Sequence, residues 1–94
     1  MKSMTKIEID GESYVIDKSN RQGIIIKYEY GRYMTEIEFM NCVASFVLCG
    51  WTKKDLSTIE KILEMADVTI NSVNVDENVW LTISADDYVK LLNF

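Results

Sequence analysis

The 94-residue chain contains no histidine and no proline, and it has only four glycines and two cysteines. Without histidine it lacks the side chain that usually exchanges protons near neutral pH. Ser-His-Asp and Cys-His nucleophile systems are therefore excluded, as are metal sites that need an imidazole ligand. The glycines are scattered and form no phosphate-binding loop. We therefore expect a protein that is not an enzyme and that needs no cofactor.

The two cysteines, Cys42 and Cys49, are seven residues apart within an apolar stretch. This spacing does not make a zinc site, and no Lys or Arg lies nearby to favour the thiolate. The neighbouring acids at positions 76–77 and 86–87 fit turns and helix caps better than a site for a divalent ion. We predict that both cysteines are reduced and buried, that they have a structural role, and that they do not bind a metal.

Basic residues are also scarce: the chain has 10 Lys and Arg residues and 15 Asp and Glu residues, which gives a net charge of −5. This balance disfavours nucleic acids and anionic membranes as partners. The N-terminal sequence, MKSMTKIEIDGE, reaches acidic residues before any apolar run, so we expect no secretory signal peptide and a cytoplasmic protein. Ile, Lys, Asn and Tyr supply 30 residues against 9 for Gly, Ala, Arg and Pro, which indicates an AT-rich gene from a low-GC bacterium, phage or mobile element.

Alternation of polar and apolar side chains predicts a first β-hairpin over residues 6–17. A type II′ turn at Gly11-Glu12 would pair Ile9 with Tyr14 and keep one face apolar. A turn one residue earlier would set Ile9 against Glu12, which we consider the poorer register.

A second hairpin is predicted over residues 24–39, with its turn at Gly31-Arg32. In this register Ile26 lies opposite Ile37, and four cross-strand pairs are favourable. The two hairpins together form a four-stranded antiparallel meander.

The longest apolar segment of the chain extends from position 39 to position 48 and contains only two clearly polar residues. We predict a helix over residues 41–49, covered on several sides by other elements. In the alternative interpretation the helix begins at Thr35, because Thr35 and Glu38 have the spacing of a capping box.

The rest of the chain predicts an amphipathic helix over residues 53–66 that Thr52 and Asp55 cap. A hairpin follows, over residues 68–83, with a bulge near positions 71–72 and a turn at 76–78. A short C-terminal helix begins at a Ser84 cap. The predicted fold class is α+β, in which a four-stranded antiparallel meander is followed by two helices, a β-hairpin and a short C-terminal helix, all in one small domain over residues 1–94.

One face of the predicted meander is strongly acidic. By alternation it carries two lysines, Lys6 and Lys27, and six carboxylates: Glu8, Asp10, Asp17, Glu29, Glu36 and Glu38. The same face presents apolar contact area from Val15, Ile25, Met34 and Met40. A face of one sign favours encounter with a basic partner, so we predict these six carboxylates as a protein-binding site.

The function hypothesis that follows is a small intracellular interaction protein, an inhibitor that docks its acidic face on a basic protein surface. An antitoxin, an immunity protein and a phage anti-defence protein all fit this size and charge. The alternative is a structural module that assembles into a homo-oligomer. A third hypothesis is a small-molecule binder or an enzyme that uses carboxylates alone.

Overall fold

In a computed structural model, which describes residues 3–20, 23–30, 33–76 and 79–94, the chain forms seven strands and two short α-helices. The strands are β1 (Met4–Ile9), β2 (Glu12–Asp17), β3 (Ile24–Tyr28), β4 (Tyr33–Met40), β5 (Ser45–Cys49), β6 (Ile70–Asn74) and β7 (Trp80–Ile83). The helices are α1 (Leu56–Met65), which follows a 3-10 turn over Lys53–Asp55, and α2 (Ala85–Leu92). The strands pair antiparallel in a single sheet of order β1-β2-β3-β4-β5-β7-β6.

This architecture shows that the predicted fold class is wrong. The chain is not a four-stranded meander followed by two helices, a separate hairpin and a third helix. Residues 41–49, predicted as the first helix, form a turn and then β5. The C-terminal hairpin of β6 and β7 joins the meander because β7 pairs with β5. The result is one sheet of seven strands with two helices.

Strand β5 carries apolar side chains on both of its faces. Phe46 and Leu48 face α1 and α2, whereas Val47 and Cys49 face the opposite side of the sheet. A strand with apolar residues on both faces lacks the period-2 signal and resembles a buried helix in sequence. The hydrophobic pattern of residues 41–49 therefore could not separate the two structures.

A tight turn over residues 41–44 connects β4 to β5. The Val43 N–H donates to the Met40 carbonyl at 3.3 Å, and beyond the turn Phe39 lies opposite Phe46 with their ring centroids 5.4 Å apart. The alternative helix that begins at Thr35 is also wrong, since β4 continues through Met40.

The first hairpin uses the register that we considered poorer. Its turn lies at Asp10-Gly11, where φ is 52° and 84°, and Ile9 pairs with Glu12. A type I′ turn needs positive φ at both central residues, and Asp-Gly accepts this conformation more easily than most pairs. Glu12 is exposed, so its position opposite Ile9 does not bury a charge.

The second hairpin is shifted by two residues from the prediction. Ile26 pairs with Thr35 instead of Ile37, and a bulge follows between β3 and β4. The side chain of Met34 is fully buried in the core, so its predicted place on the acidic face is wrong. The predicted turn at residues 31–32 lies outside the described residues.

The amphipathic helix predicted over residues 53–66 is confirmed as the 3-10 turn and α1. At its start, the Asp55 carboxylate accepts a hydrogen bond from the Thr52 backbone N–H at 3.2 Å. This is the predicted cap, and it is a local feature that neighbouring residues specify.

The predictions for the C-terminal segment are also confirmed where the structure describes it. The register of β6 against β7 shifts between Ile70 and Ser72, where the apolar phase of the sequence changes. The Ser84 hydroxyl accepts a hydrogen bond from the Asp87 N–H at 3.2 Å and caps α2. Of the predicted turn at 76–78, residues 77–78 lie outside the described part of the chain.

Both α-helices pack on the same face of the sheet, and the core lies between them and the strands. Its fully buried members come from five strands and both helices: Ile16, Ile24, Ile26, Met34, Ile37, Leu48, Ile59, Ile62, Leu63, Leu81, Ile83 and Leu91. Burial of apolar surface at this interface is the main force that holds the two layers together.

Candidate functional site on the open sheet face

The sheet face away from α1 and α2 is here called the open face. Every second residue of each strand points to it. The register of β4, β5 and β7 sets two rows of neighbouring side chains across it, Glu36–Cys49–Trp80 and Glu38–Val47–Thr82. Residues paired in this way have Cβ atoms about 5 Å apart, so each row is a line of direct neighbours.

Asp10, one of the six predicted site residues, does not belong to this face. It lies in the first hairpin turn, and its Oδ2 is 2.8 Å from the Lys61 Nζ on α1. The hydrogen bond to Asp10 raises the pKa of the Lys61 amine. Asp10 therefore joins the hairpin to the helix layer, on the side opposite Glu36 and Glu38.

Asp17 and Glu29 have partners within the chain. The Ser19 hydroxyl and backbone N–H donate to Asp17 Oδ1 at 2.6 and 3.0 Å, and these hydrogen bonds lower the pKa of Asp17. The Lys27 amine lies 3.7 Å from the same carboxylate. The Glu29 Oε1 lies 3.0 Å from the Lys6 Nζ, and this hydrogen bond raises the pKa of the Lys6 amine.

Through these contacts, most of the charged side chains on the β1–β3 half of the open face are paired with one another. Val15 lies between Lys6 and Lys27 in the paired register and is only 4 % exposed. The aliphatic parts of long cationic side chains commonly cover apolar neighbours in this way. With its lysines paired to carboxylates, this half offers little free charge to a partner.

The other three predicted residues, Glu8, Glu36 and Glu38, make no ion pair with any residue that the structure describes. Glu36 and Glu38 are successive open-face residues of β4, so they lie about 7 Å apart along the strand. Among the described residues, the unpaired carboxylates of the open face are thus concentrated at β4, with Glu8 alone on the edge strand.

A groove of about 660 Å³ opens beside Glu38, and Glu36 is paired across the sheet with Cys49, one of its lining residues. Its lining comes from β4, the turn that follows, β5 with the two residues after it, and β7 with the residue before it. The lining is mostly apolar: Glu38, Met40, Cys42, Val43, Val47, Cys49, Gly50, Trp51, Val79 and Trp80. Met40 and Val43 are 39 % and 48 % exposed at its outer end. Exposed apolar groups that are contiguous rather than scattered are typical of binding surfaces.

The charges around this groove affect the pKa of the Cys49 thiol. Partial burial and the negative charges of Glu38 and Glu36 raise the pKa of Cys49 above its ordinary value. All three effects favour the neutral thiol. The groove therefore combines an apolar lining with a local negative field.

The groove residues of β5 and β7 were missed at the sequence level. The sequence predicts Val47 and Cys49 in a helix and Trp80 in a hairpin strand with no binding role. Residues 46–49 are all apolar, so no alternation of polar and apolar side chains marks them as a strand or distinguishes Val47 and Cys49 from their neighbours. The neighbourhood of Cys49 and Trp80 depends on strand order, which no local pattern carries.

The prediction that both cysteines are buried is wrong for Cys42, which is exposed in the turn before β5, while Cys49 is half-buried. Both are free thiols. Within residues 3–20, 23–30, 33–76 and 79–94, no three Cys, Asp or Glu side chains come together to hold a metal ion. In the same ranges no helix is long and apolar enough to cross a membrane.

No protein-family model matches the chain, and neither a curated protein nor a solved structure shows significant similarity to it.

Proposed function

We propose that this chain is a protein-binding module whose open face docks on a basic surface of another protein and blocks it. The observation that carries the proposal is the pairing of uncompensated charge with apolar area. Glu36 and Glu38 have no cationic partner in the described part of the chain. Glu38 lines a mostly apolar groove, and Glu36 is paired across the sheet with Cys49, another lining residue. An inhibitor that acts in the reducing cytoplasm, where free cysteines persist, fits this arrangement.

The two components of the surface have different roles in binding. Apolar and aromatic side chains such as Met40 and Trp80 supply desolvated contact area, which contributes most of the affinity in protein interfaces. The carboxylates steer a basic partner towards the face and reject acidic ones. The net charge of −5 acts in the same direction at longer range.

A basic protein fits better than a second copy of the chain. A two-fold symmetric contact places the same patch of both subunits together. Through the open face it would bring Glu36 and Glu38 of one copy close to those of the other, and like charges in an interface disfavour association. Nucleic acid is disfavoured for the same reason, because phosphate groups would approach uncompensated carboxylates.

The test compares two double charge reversals that change the net charge equally. Glu36→Lys/Glu38→Lys alters the open face, and Glu60→Lys/Glu64→Lys alters exposed positions of α1. Each variant and the wild-type chain are used as bait in extracts of the native host. The affinity of each recovered protein is then measured with purified components at increasing salt.

We expect a basic protein that binds the wild-type chain and the α1 variant but not the open-face variant. Its association should slow as salt rises, because charges are screened beyond about 8 Å at physiological ionic strength. Equal binding by both variants would show that the open face is not the site. A folded state for each variant is confirmed by its amide NMR spectrum.

A further inference from the structure

The groove beside Glu38 has a more specific chemistry than a general preference for basic proteins. Its walls are apolar, so an occupant gains by bringing an apolar segment into contact with Met40, Val47 and Trp80. Among the described residues that line it, the charged one is Glu38, and the next open-face residue along β4 is Glu36. The occupant should therefore carry an apolar stem and a cationic end.

Within proteins, only lysine and arginine side chains have that form, and the groove distinguishes between them. Trp80 lines the groove, and a planar guanidinium stacks well on the face of an indole ring. Two carboxylates that lie about 7 Å apart offer four oxygens to the five N–H donors of arginine. A lysine ammonium is more strongly hydrated and has fewer donors, so it gains less here.

We propose that the groove bordered by Glu38, Val47, Cys49 and Trp80 is the anchor site for an arginine side chain of the partner protein. The inference rests on the proposed function and names the contact that gives the open face its specificity. Charge complementarity selects the occupant. Glu38 in the groove and Glu36 beside it make no ion pair within the described ranges, whereas Glu29 and Asp17 of the β1–β3 half are paired with Lys6 and Lys27.

The experiment titrates the ¹⁵N-labelled chain with three capped tripeptides that differ only in the central residue: arginine, citrulline and lysine. Citrulline keeps the shape of arginine but has no charge. We expect the arginine peptide to shift the backbone amides of Val47, Cys49 and Trp80 and the Trp80 indole N–H. Weak millimolar affinity is sufficient, since the peptide supplies one anchor and not a whole interface.

Matched variants locate the cationic contact. Glu38→Gln should weaken arginine-peptide binding about threefold or more, as expected for the loss of an exposed ion pair. Glu60→Gln, an exposed change on α1, should leave the affinity unchanged. Trp80→Leu should remove the preference for arginine over lysine. Because Glu38 is exposed, its variant keeps the test valid even if the Trp80 change disturbs the fold.

Three results would overturn the inference. They are equal binding of the citrulline peptide, equal binding of the lysine peptide, and shifts that spread over the surface and respond equally to Glu38→Gln and Glu60→Gln. The inference and the proposed function fail separately. If the arginine peptide leaves the groove unchanged but the open-face reversal still abolishes partner binding, the anchor is wrong and the docking face remains. If that reversal has no effect either, both are wrong.

Discussion

Cys49 is the residue whose chemistry most directly reports the field of the open face. Its thiol is half-buried beside Glu36 and Glu38, which together with burial raise its pKa. The thiolate is the reactive form, so a raised pKa lowers the reactive fraction at any given pH. Cys42 is exposed in the turn before β5 and serves as the comparison within the same chain.

We predict that Cys49 reacts with iodoacetamide more slowly than Cys42. The single-cysteine variants Cys42→Ser and Cys49→Ser allow each rate to be followed by mass spectrometry across a range of pH. The Cys49 profile should lie at higher pH than that of a free cysteine. Adding Glu38→Gln should move it to lower pH, because removal of a negative charge makes ionisation easier.

Glu60→Gln is the control for this measurement, since it removes one negative charge from α1. It should leave the Cys49 profile in place. If Glu38→Gln and Glu60→Gln moved the pH profile of Cys49 equally, the net charge of the protein, and not the neighbouring carboxylate, would set the pKa of the thiol.

At the scale of elements, β5 decides the architecture because it pairs with β4 on one side and β7 on the other. Its core-facing residue Leu48 is fully buried, whereas Val43 in the preceding turn is 48 % exposed. A helix over residues 41–49 covered on several sides would have buried both. The two side chains therefore report on which structure forms.

We predict that Leu48→Ala lowers the free energy of unfolding by about 2–5 kcal/mol, the range for loss of a buried leucine side chain. Val43→Ala should change it by about 0.5 kcal/mol or less, as exposed substitutions usually do. Urea denaturation of the two variants measures the difference. Similar large losses for both would contradict the turn and favour the helix.

The turns of the sheet depend on two glycines for different reasons. Gly11 has φ of 84° with open space around it, so only its backbone conformation resists a side chain. At Gly23 an added Cβ would meet the carbonyl oxygen of Ile37 in β4. The first position needs a positive φ, and the second needs close approach of two backbones.

We predict a cost of about 1–2 kcal/mol for Gly11→Ala, which is typical of a non-glycine residue held at positive φ. Gly11→Asn should cost less, because asparagine tolerates this conformation. Gly23→Ala should cost more than Gly11→Ala, since rigid backbone must move. Chemical denaturation ranks the three variants. A smaller effect at Gly23 than at Gly11 would show that the Gly23 segment does not pack on β4 as described.

At the scale of the whole molecule, a buried lysine joins the end of the chain to the start of the sheet. Lys18 is 6 % exposed, and its amine donates hydrogen bonds to the carbonyls of Leu92 and Phe94, both at 3.2 Å. The Thr5 hydroxyl donates to the same Phe94 carbonyl at 3.0 Å. These contacts fasten the segment after α2 against β1 and β2.

We predict that Lys18→Met destabilises the fold by about 1.5–3 kcal/mol, the value for hydrogen bonds that involve a charged group. Hydrogen exchange should increase in residues 85–94, because α2 is short and depends on docking. Lys54→Met, which changes an exposed lysine before α1, is the control and should have little effect, as exposed substitutions usually do. Unchanged exchange in Lys18→Met would show that the lysine does not hold this segment.

The parts of the fold that could be predicted are those that residues close along the chain specify. The amphipathic stripe of α1, the Ser84 cap of α2 and the break in β6 depend on neighbours within a few positions. The predicted registers of both hairpins were wrong because hydrophobic pattern does not fix them. Two-residue shifts leave the same faces apolar, so hydrophobic pattern alone does not choose between them.

The candidate site was predictable only in part. Glu8, Glu36 and Glu38 follow from alternation along single strands and lie on the open face without ion-pair partners in the described ranges. Asp10, Asp17 and Glu29 follow from the same pattern, yet each contacts a lysine of another segment. Whether a carboxylate is free depends on cations that are distant in sequence, so alternation cannot give the answer.

By itself, the sequence determined what chemistry is excluded, because a side chain that is absent, such as histidine, cannot be supplied by folding. It also determined the local elements whose signals lie within one or two turns of chain. Only the tertiary structure decided that residues 45–49 are a strand and that Cys49 lies between Glu36 and Trp80. The physical reason is that β5 has no stability of its own. Its backbone hydrogen bonds and its burial come from β4 and β7, and strand order alone brings those partners together.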